Sequence, residues 1–191
     1  MKKKDLITAL IIGEISAWLI VIISKSFVER LPFWWLLLIA LPILSGLGML
    51  IALFFEKRSV VFYQFSKFFL VGLMNVLIDL GILSLLIVLF KADKGLWYSV
   101  FKGFSFSLAT VNSYFWNKLW TFGTEKGKFD QFLIVSLIGL LINVGTASLI
   151  VNLVSVPFGL TAGAWAIIGA LGGSLAGLTL NFLGYKFIVF K

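Results

Sequence analysis

The chain has 191 residues, of which 61% are apolar and 13% are charged. A soluble domain carries about 45–50% apolar and about 25% charged residues, so the composition excludes a soluble protein and predicts an integral membrane protein. The absence of Cys and His excludes disulfides, thiolate or imidazole metal sites and nucleophile–histidine catalysis. With only eight acidic residues, we expect neither enzymatic activity nor a cofactor.

Six apolar stretches are long enough to span a bilayer, which takes about 20 residues each. In chain order they are Leu6–Ser24, Phe33–Phe55, Phe68–Phe90, Tyr98–Phe122, Phe129–Leu153 and Thr161–Phe190. The expected fold is therefore all-α, with six transmembrane helices. Residues 1–60 are expected to form an additional N-terminal transmembrane hairpin, and residues 61–191 a four-helix domain.

The net charge of +8 is spread over the ends of the apolar stretches and forms no single stripe, which argues against nucleic-acid binding. Lys and Arg number 11 on the side that holds both predicted termini and 5 on the other side. The richer side is normally cytoplasmic. We therefore expect a multi-pass protein of the plasma membrane with both termini in the cytoplasm.

The third stretch matches the fifth after a shift of 64 residues. FSKFFLVGLMNVLIDLGILSLL, which starts at Phe65, is identical to FDQFLIVSLIGLLINVGTASLI at nine of 22 positions. Asp79 falls opposite Asn143 in this alignment. A polar pair in equivalent places of two apolar helices is a stronger sign of duplication than matching leucines are.

The ends of the fourth and sixth stretches correspond after a shift of 68 residues. SYFWNKLWTF aligns with NFLGYKFIVF, and Lys118 falls opposite Lys186. Together the two alignments predict an internal repeat, at about residues 65–122 and 129–190. Because each repeat has two spans, the repeats are expected to be parallel and related by a pseudo-two-fold axis along the membrane normal.

These motifs resemble the GtrA-like family of small polytopic membrane proteins. The pattern F-x-x-F-x-x-V-G-x-x-N-x-x-x-D runs from Phe65 to Asp79, and the two tails fit S-F-x-x-N-[RK]-x-W-T-F and N-F-x-x-x-[RK]-F-x-V-F, with departures at Tyr114 and Gly184–Tyr185. The resemblance covers about residues 62–191. It implies four core helices, cytoplasmic termini and a role in cell-surface polysaccharide synthesis. The implied activity is translocation of a polyprenyl-phosphate-linked monosaccharide, a lipid-linked sugar, with glycosyltransferases as partners.

Asp79 is the main candidate for a site inside the membrane. It lies about 12 residues, or about 18 Å, from the start of its stretch, close to the bilayer midplane. A carboxylate there marks a functional site by default, and a structural hydrogen bond to a neighbouring helix is the alternative. Four amides are candidates for binding sugar hydroxyls or, alternatively, for linking helices: Asn75, Asn112, Asn143 and Asn181.

Two lysines are candidates for the lipid phosphate. Lys118 and Lys186 lie about one turn inside the cytoplasmic ends of their stretches, where basic pockets can bind phosphorylated head groups. Snorkelling of each lysine to the interface is the alternative. Asn117 and Trp120 flank Lys118 and are expected either to contact the same head group or to anchor the interface.

Lys102 is expected at the outer end of the fourth span. There it would meet the phosphate after translocation. The alternatives are that it pairs with Asp93 or only marks the membrane boundary.

Three functions follow from this pattern. A flippase for a polyprenyl-phosphate-linked monosaccharide is the leading hypothesis. The alternatives are a non-transporting membrane partner of a polyprenyl-phosphate glycosyltransferase and a small exporter that uses Asp79 as a proton-coupled carboxylate. The sequence leaves open which sugar is bound and whether the chain forms a homo-oligomer.

Overall fold

The structure is a computed structural model that describes residues 2–27, 32–123 and 129–189. Over these residues the regular structure is helical, which confirms the all-α prediction. Six α-helices follow one another: α1 Lys2–Phe27, α2 Trp35–Phe55, α3 Val60–Phe90, α4 Gly95–Trp116, α5 Phe129–Leu153 and α6 Ala162–Gly184.

Four helices of the described chain are long and apolar enough to cross a membrane, namely α1, α2, α3 and α5. Within α6, residues Ala162–Gly177 form a further apolar segment. Helix α4 is less apolar because it carries polar side chains that face other helices, among them Lys102 and Ser105, which are fully buried. The low hydropathy of α4 thus marks the helix that supplies polar groups to the interior.

Helix α3 starts eight residues earlier than the sequence predicts. The Ser59 hydroxyl accepts a hydrogen bond from the Phe62 backbone N–H (3.2 Å) and caps the helix at this point. The helix has 31 residues and is about 46 Å long, longer than the hydrocarbon core of a bilayer. The predicted start at Phe68 was wrong because Lys67 interrupts the apolar run, whereas in the structure Lys67 lies inside the helix, paired with a carboxylate.

The helices form a bundle in which each helix runs antiparallel to the next one in the chain. Helix α1 packs against α2 and α3, and α3 packs against α4 and α6. At Gly13 of α1 the α2 backbone is so close that an added Cβ would lie 2.7 Å from the Pro42 Cα. The N-terminal hairpin therefore contacts the rest of the bundle chiefly through α3. The division of the chain into this hairpin and a four-helix domain stays a prediction.

One end of the bundle collects the starts of α1, α3 and α5 and the ends of α2, α4 and α6. Phe68 of α3, Phe132 of α5 and Tyr185 after α6 pack together there. We call it the basic end, because Lys4, Lys57, Lys67 and Lys118 lie at it. At the opposite end, the Gly95 N–H of α4 donates to Asn152 Oδ1 of α5 (2.6 Å).

Helices α4 and α6 both end at the basic end in a five-residue π-helical turn, Asn117–Thr121 and Tyr185–Val189. In the first turn the Phe122 N–H donates to the Asn117 carbonyl five residues earlier (2.9 Å). Such turns are rare and concentrate at functional sites. The two turns are 68 residues apart, the offset that aligns the tail motifs, and so they favour the predicted duplication.

Candidate functional site

A buried ion pair joins α3 to α4 in the interior of the bundle. The Lys102 ammonium donates to Asp79 Oδ2, and the two residues are 0% and 2% exposed. Ser105 Oγ of α4 donates to Asp79 Oδ1 (2.6 Å), and Ser174 Oγ of α6 donates to Oδ2 (3.1 Å). Each carboxylate oxygen therefore has a hydroxyl donor, and the ammonium compensates its charge, which offsets the cost of removing both ions from water.

The position of Lys102 corrects the sequence-based expectation. Lys102 lies two turns inside α4, which begins at Gly95, and its side chain is fully buried. It pairs with Asp79 instead of Asp93. Its Nζ is also 3.5 Å from Ser174 Oγ, so one cation contacts polar groups of both α3 and α6.

Hydrogen bonds connect this pair to one of the predicted amides, Asn143, and join two others, Asn112 and Asn75, to each other. Asn143 Nδ2 of α5 donates to Ser174 Oγ (3.4 Å), the hydroxyl that also binds Asp79. Asn112 Nδ2 donates to Asn75 Oδ1 (2.7 Å), which links α4 to α3 one turn nearer the basic end. Asp79 and Asn143 therefore both contact the Ser174 hydroxyl. This agrees with their equivalent positions in the alignment of the third and fifth stretches.

A cavity of about 70 Å³ adjoins Asp79 and is lined by the amides Asn75, Asn143 and Asn181. Each of these three residues has one buried amide atom without a hydrogen-bond partner among the described residues: Asn75 Nδ2, Asn143 Oδ1 and Asn181 Oδ1. A buried polar group that stays unpaired costs about 1–3 kcal/mol. One donor and two acceptors of the lining residues thus have no partner among the described residues.

Two apolar clusters enclose the polar centre along α3. Toward the basic end, Phe68 packs with Phe132 and Tyr185. The rings of Phe132 and Tyr185 are stacked, with their centroids 5.0 Å apart. Toward the opposite end, Leu83 packs with Tyr98, whose hydroxyl donates to the Ala166 carbonyl (2.9 Å). The ion pair and the amides are therefore shielded at both ends by packed side chains.

The other predicted site residues lie at the basic end. Lys118 is exposed, with its Nζ 3.4 Å from the Tyr114 hydroxyl, and it lies outside the described lining of the cavity. Asn117 is buried and its Nδ2 donates to Ser113 Oγ (3.0 Å), one turn from the cavity. The side chain of Lys186 lies outside the described residues.

A second polar cluster at the basic end was not predicted from the sequence. Asp5 of α1 is bonded to Lys67 Nζ (2.7 Å), to the Tyr63 hydroxyl (2.6 Å) and to Trp120 Nε1 (2.9 Å). Of these residues only Trp120 had been considered as a site. Lys67 could have indicated this cluster, because it is a charged residue at the eighth position of α3. The apolar pattern alone predicted a later start for this helix, at Phe68.

Residues 67–190 match the family described as "GtrA/DPMS, transmembrane domain". The chain belongs to this family. It is also 32% identical over 142 residues to the uncharacterized membrane protein YngA of Bacillus subtilis (strain 168), which covers 72% of this chain and 89% of that protein. No solved structure matches it.

The family match confirms the resemblance to the GtrA-like family. Together with the long apolar helices it identifies the chain as a multi-pass membrane protein, and membership supports a role in processes that involve polyprenyl-phosphate sugars. The matched segment includes the ion pair and the cavity amides, whereas Asp5 and Tyr63 lie before it.

Proposed function

We propose that this protein is a flippase, not an enzyme, that moves a polyprenyl-phosphate-linked monosaccharide across the plasma membrane for cell-envelope polysaccharide glycosylation. One observation carries the proposal: a cavity with three unpaired amide atoms lies beside a buried ion pair, inside an apolar bundle. Sugar hydroxyls both donate and accept hydrogen bonds, and amides offer both kinds of partner. The family supports the choice of a polyprenyl-phosphate sugar.

The cavity in this structure is too small to hold a sugar ring. Small-molecule sites usually measure about 300–1,000 Å³, whereas this cavity measures about 70 Å³. To admit a sugar ring, α3 and α4 have to move apart from α5 and α6, as one repeat moves against the other in many transporters. The aromatic cluster around Phe68 and Tyr185 is the barrier that has to open at the basic end.

The ion pair provides a way to carry a phosphate past the midplane. A single charge is costly there, by about 2.5–3.5 kcal/mol on insertion scales. When the phosphate passes, Lys102 can turn from Asp79 toward it, while Asp79 keeps its hydrogen bonds to Ser105 and Ser174. The site can therefore exchange one anionic partner of Lys102 for another, and Asp79 is then held by its two hydroxyl donors alone.

The basic end and the proposed partners also fit a lipid-linked sugar as the substrate. We propose that the basic end faces the cytoplasm, where the exposed Lys118 attracts the lipid phosphate. Glycosyltransferases are the proposed partners, because they would supply the lipid-linked sugar on one side and use it on the other. A proton-coupled exporter is less well supported, since Asp79 is bound to Lys102 and does not await a cationic substrate.

The test is translocation by the purified protein in liposomes that contain a polyprenyl-phosphate sugar. Exposure of the sugar is read with a membrane-impermeant, sugar-modifying reagent. Wild-type protein should accelerate exposure over protein-free liposomes, and Asn143→Leu should slow it because the cavity loses both a donor and an acceptor. Gln131→Leu is the matched control on the same helix, outside the lining of the cavity. Glycosyltransferase binding without faster exposure would favour a non-transporting partner and contradict the proposal.

A further inference from the structure

The cluster around Asp5 has the geometry of an anion-binding site. Three donors from three positions converge on one carboxylate: an ammonium (Lys67), a phenol (Tyr63) and an indole (Trp120), all within 2.6–2.9 Å. Asp5 and Lys67 are 5% and 6% exposed, so the pair is largely removed from water. Charge-assisted hydrogen bonds of this kind are the stronger ones in proteins.

The donors and the carboxylate come from different parts of the chain. Tyr63 and Lys67 belong to α3, and Trp120 to the first π-helical turn, whereas Asp5 belongs to α1. Lys67 and Trp120 lie within the family match and Asp5 lies outside it. Helix α3 and the turn after α4 thus provide the donors of an anion site, and the N-terminal hairpin provides the anion.

Lys67 also contacts the other two donors directly. Lys67 Nζ lies 4.4 Å from the Tyr63 ring centroid and 5.3 Å from the Trp120 ring centroid, and it is 3.5 Å from the Trp120 carbonyl oxygen. The rings and the carbonyl stabilise the ammonium in place. If Asp5 moved away, Lys67 would lose its counter-charge while the rings and the carbonyl still surround it, which favours binding of another anion.

A second cavity adjoins these donors. It measures about 470 Å³ and is lined by Lys4, Lys67 and Trp120 as well as by the carboxylates of Asp5 and Glu56. This volume lies in the range of small-molecule sites. Lys4 adds a second cation to the lining, and phosphorylated head groups bind to basic pockets between helices.

We propose that Tyr63, Lys67 and Trp120 form a binding site for the phosphate of a lipid head group, and that Asp5 occupies this site as a competing carboxylate. The N-terminal hairpin then acts as a latch. It closes the site when Asp5 is bound, and it is released from the core when a phosphate displaces Asp5. The choice of a lipid phosphate rests on the proposed function, whereas the anion site rests on the geometry.

Binding by the full-length protein in detergent tests this proposal. The probes are farnesyl phosphate, a short prenyl phosphate, and inorganic phosphate. Asp5→Asn removes the competing charge and keeps the shape, so we expect it to bind farnesyl phosphate at least about tenfold more tightly than wild type. Adding Lys67→Gln should abolish the gain, and adding Lys57→Gln, an exposed lysine at the same end, should preserve it. Unchanged or weaker binding by folded Asp5→Asn would overturn the proposal.

The two probes separate the sources of the phosphate. A gain for farnesyl phosphate that exceeds the gain for inorganic phosphate supports a lipid head group. Equal gains would overturn the lipid assignment and leave a site for free phosphate. The measurement needs no transport, so its failure leaves the flippase proposal standing, and failure of the liposome test leaves this site standing.

A second measurement covers the case in which Asp5→Asn does not fold. Ala9→Cys places a single thiol one turn from Asp5, buried against Tyr63, in a chain that has no other cysteine. If a phosphate displaces Asp5, farnesyl phosphate should speed the reaction of this thiol with a membrane-impermeant maleimide. Equal rates with and without farnesyl phosphate would contradict the latch.

Discussion

The Asp79–Lys102 pair can be probed by removing its charges singly and together. Lys102→Met leaves the Asp79 carboxylate with two hydroxyl donors, Ser105 and Ser174, and without its cation. Asp79→Asn leaves the fully buried Lys102 facing a neutral amide. The double variant removes both charges and keeps side chains of similar size.

The expected magnitudes follow from burial. Removing one partner of a buried ion pair costs about 3–5 kcal/mol. Because two hydroxyl donors remain for Asp79 and an amide oxygen remains for Lys102, we expect about 3 kcal/mol for each single variant. The double variant should cost about 2 kcal/mol, since only hydrogen bonds and packing are lost. It is therefore predicted to be more stable than either single variant, with an interaction energy of about 4 kcal/mol.

The assay is unfolding by sodium dodecyl sulfate in mixed micelles, followed by helical circular dichroism. A matched control is the neutral pair Asn75 and Asn112, which joins the same two helices by a 2.7 Å hydrogen bond. Its interaction energy should be about 0.6 kcal/mol, the average for such bonds in membranes. If the costs of Asp79→Asn and Lys102→Met simply add, the two residues are not coupled as a buried ion pair, and the reasoning is refuted.

Two further predictions concern packing and topology. Gly173→Ala should destabilise the protein by about 1–3 kcal/mol in the same unfolding assay, because its Cβ would lie 2.3 Å from the Asn143 carbonyl oxygen. Gly145→Ala, where a Cβ meets nothing within 4 Å, is the control, and equal losses would contradict the packing of α5 on α6. Single cysteines at Lys57 and Asp93 should be labelled from the cytoplasmic and the outer side respectively, and labelling of both from one side would break the predicted topology.

The bundle could largely be predicted from hydropathy because lipid-facing apolar runs of about 20 residues are distinctive. The boundaries failed where a charge lies inside a helix. Lys67 ended the apolar run in the sequence, yet Asp5, 62 residues earlier in the chain, neutralises it. Such a partner comes from tertiary packing, which a local pattern does not contain.

Part of the candidate site could also be predicted from hydropathy. Asp79 and the amides stand out as polar residues in apolar helices, and their repeat spacing places them near one another. Lys102 could not be assigned, because its distance from the end of the span is equally consistent with an interfacial lysine. Ser105 and Ser174 gave no signal, since serine is common in membrane helices and packs without a special role.

The most direct test of the central claim is the rate at which liposomes with the purified protein expose a polyprenyl-phosphate sugar, compared with the Asp79→Asn/Lys102→Met variant. This variant is suitable because it is expected to fold while it lacks both charges of the site. The account predicts that wild-type protein exposes the sugar faster than protein-free liposomes do, and that the folded variant loses most of this acceleration. Wild-type rates in the folded variant, or no acceleration by wild-type protein, would contradict it.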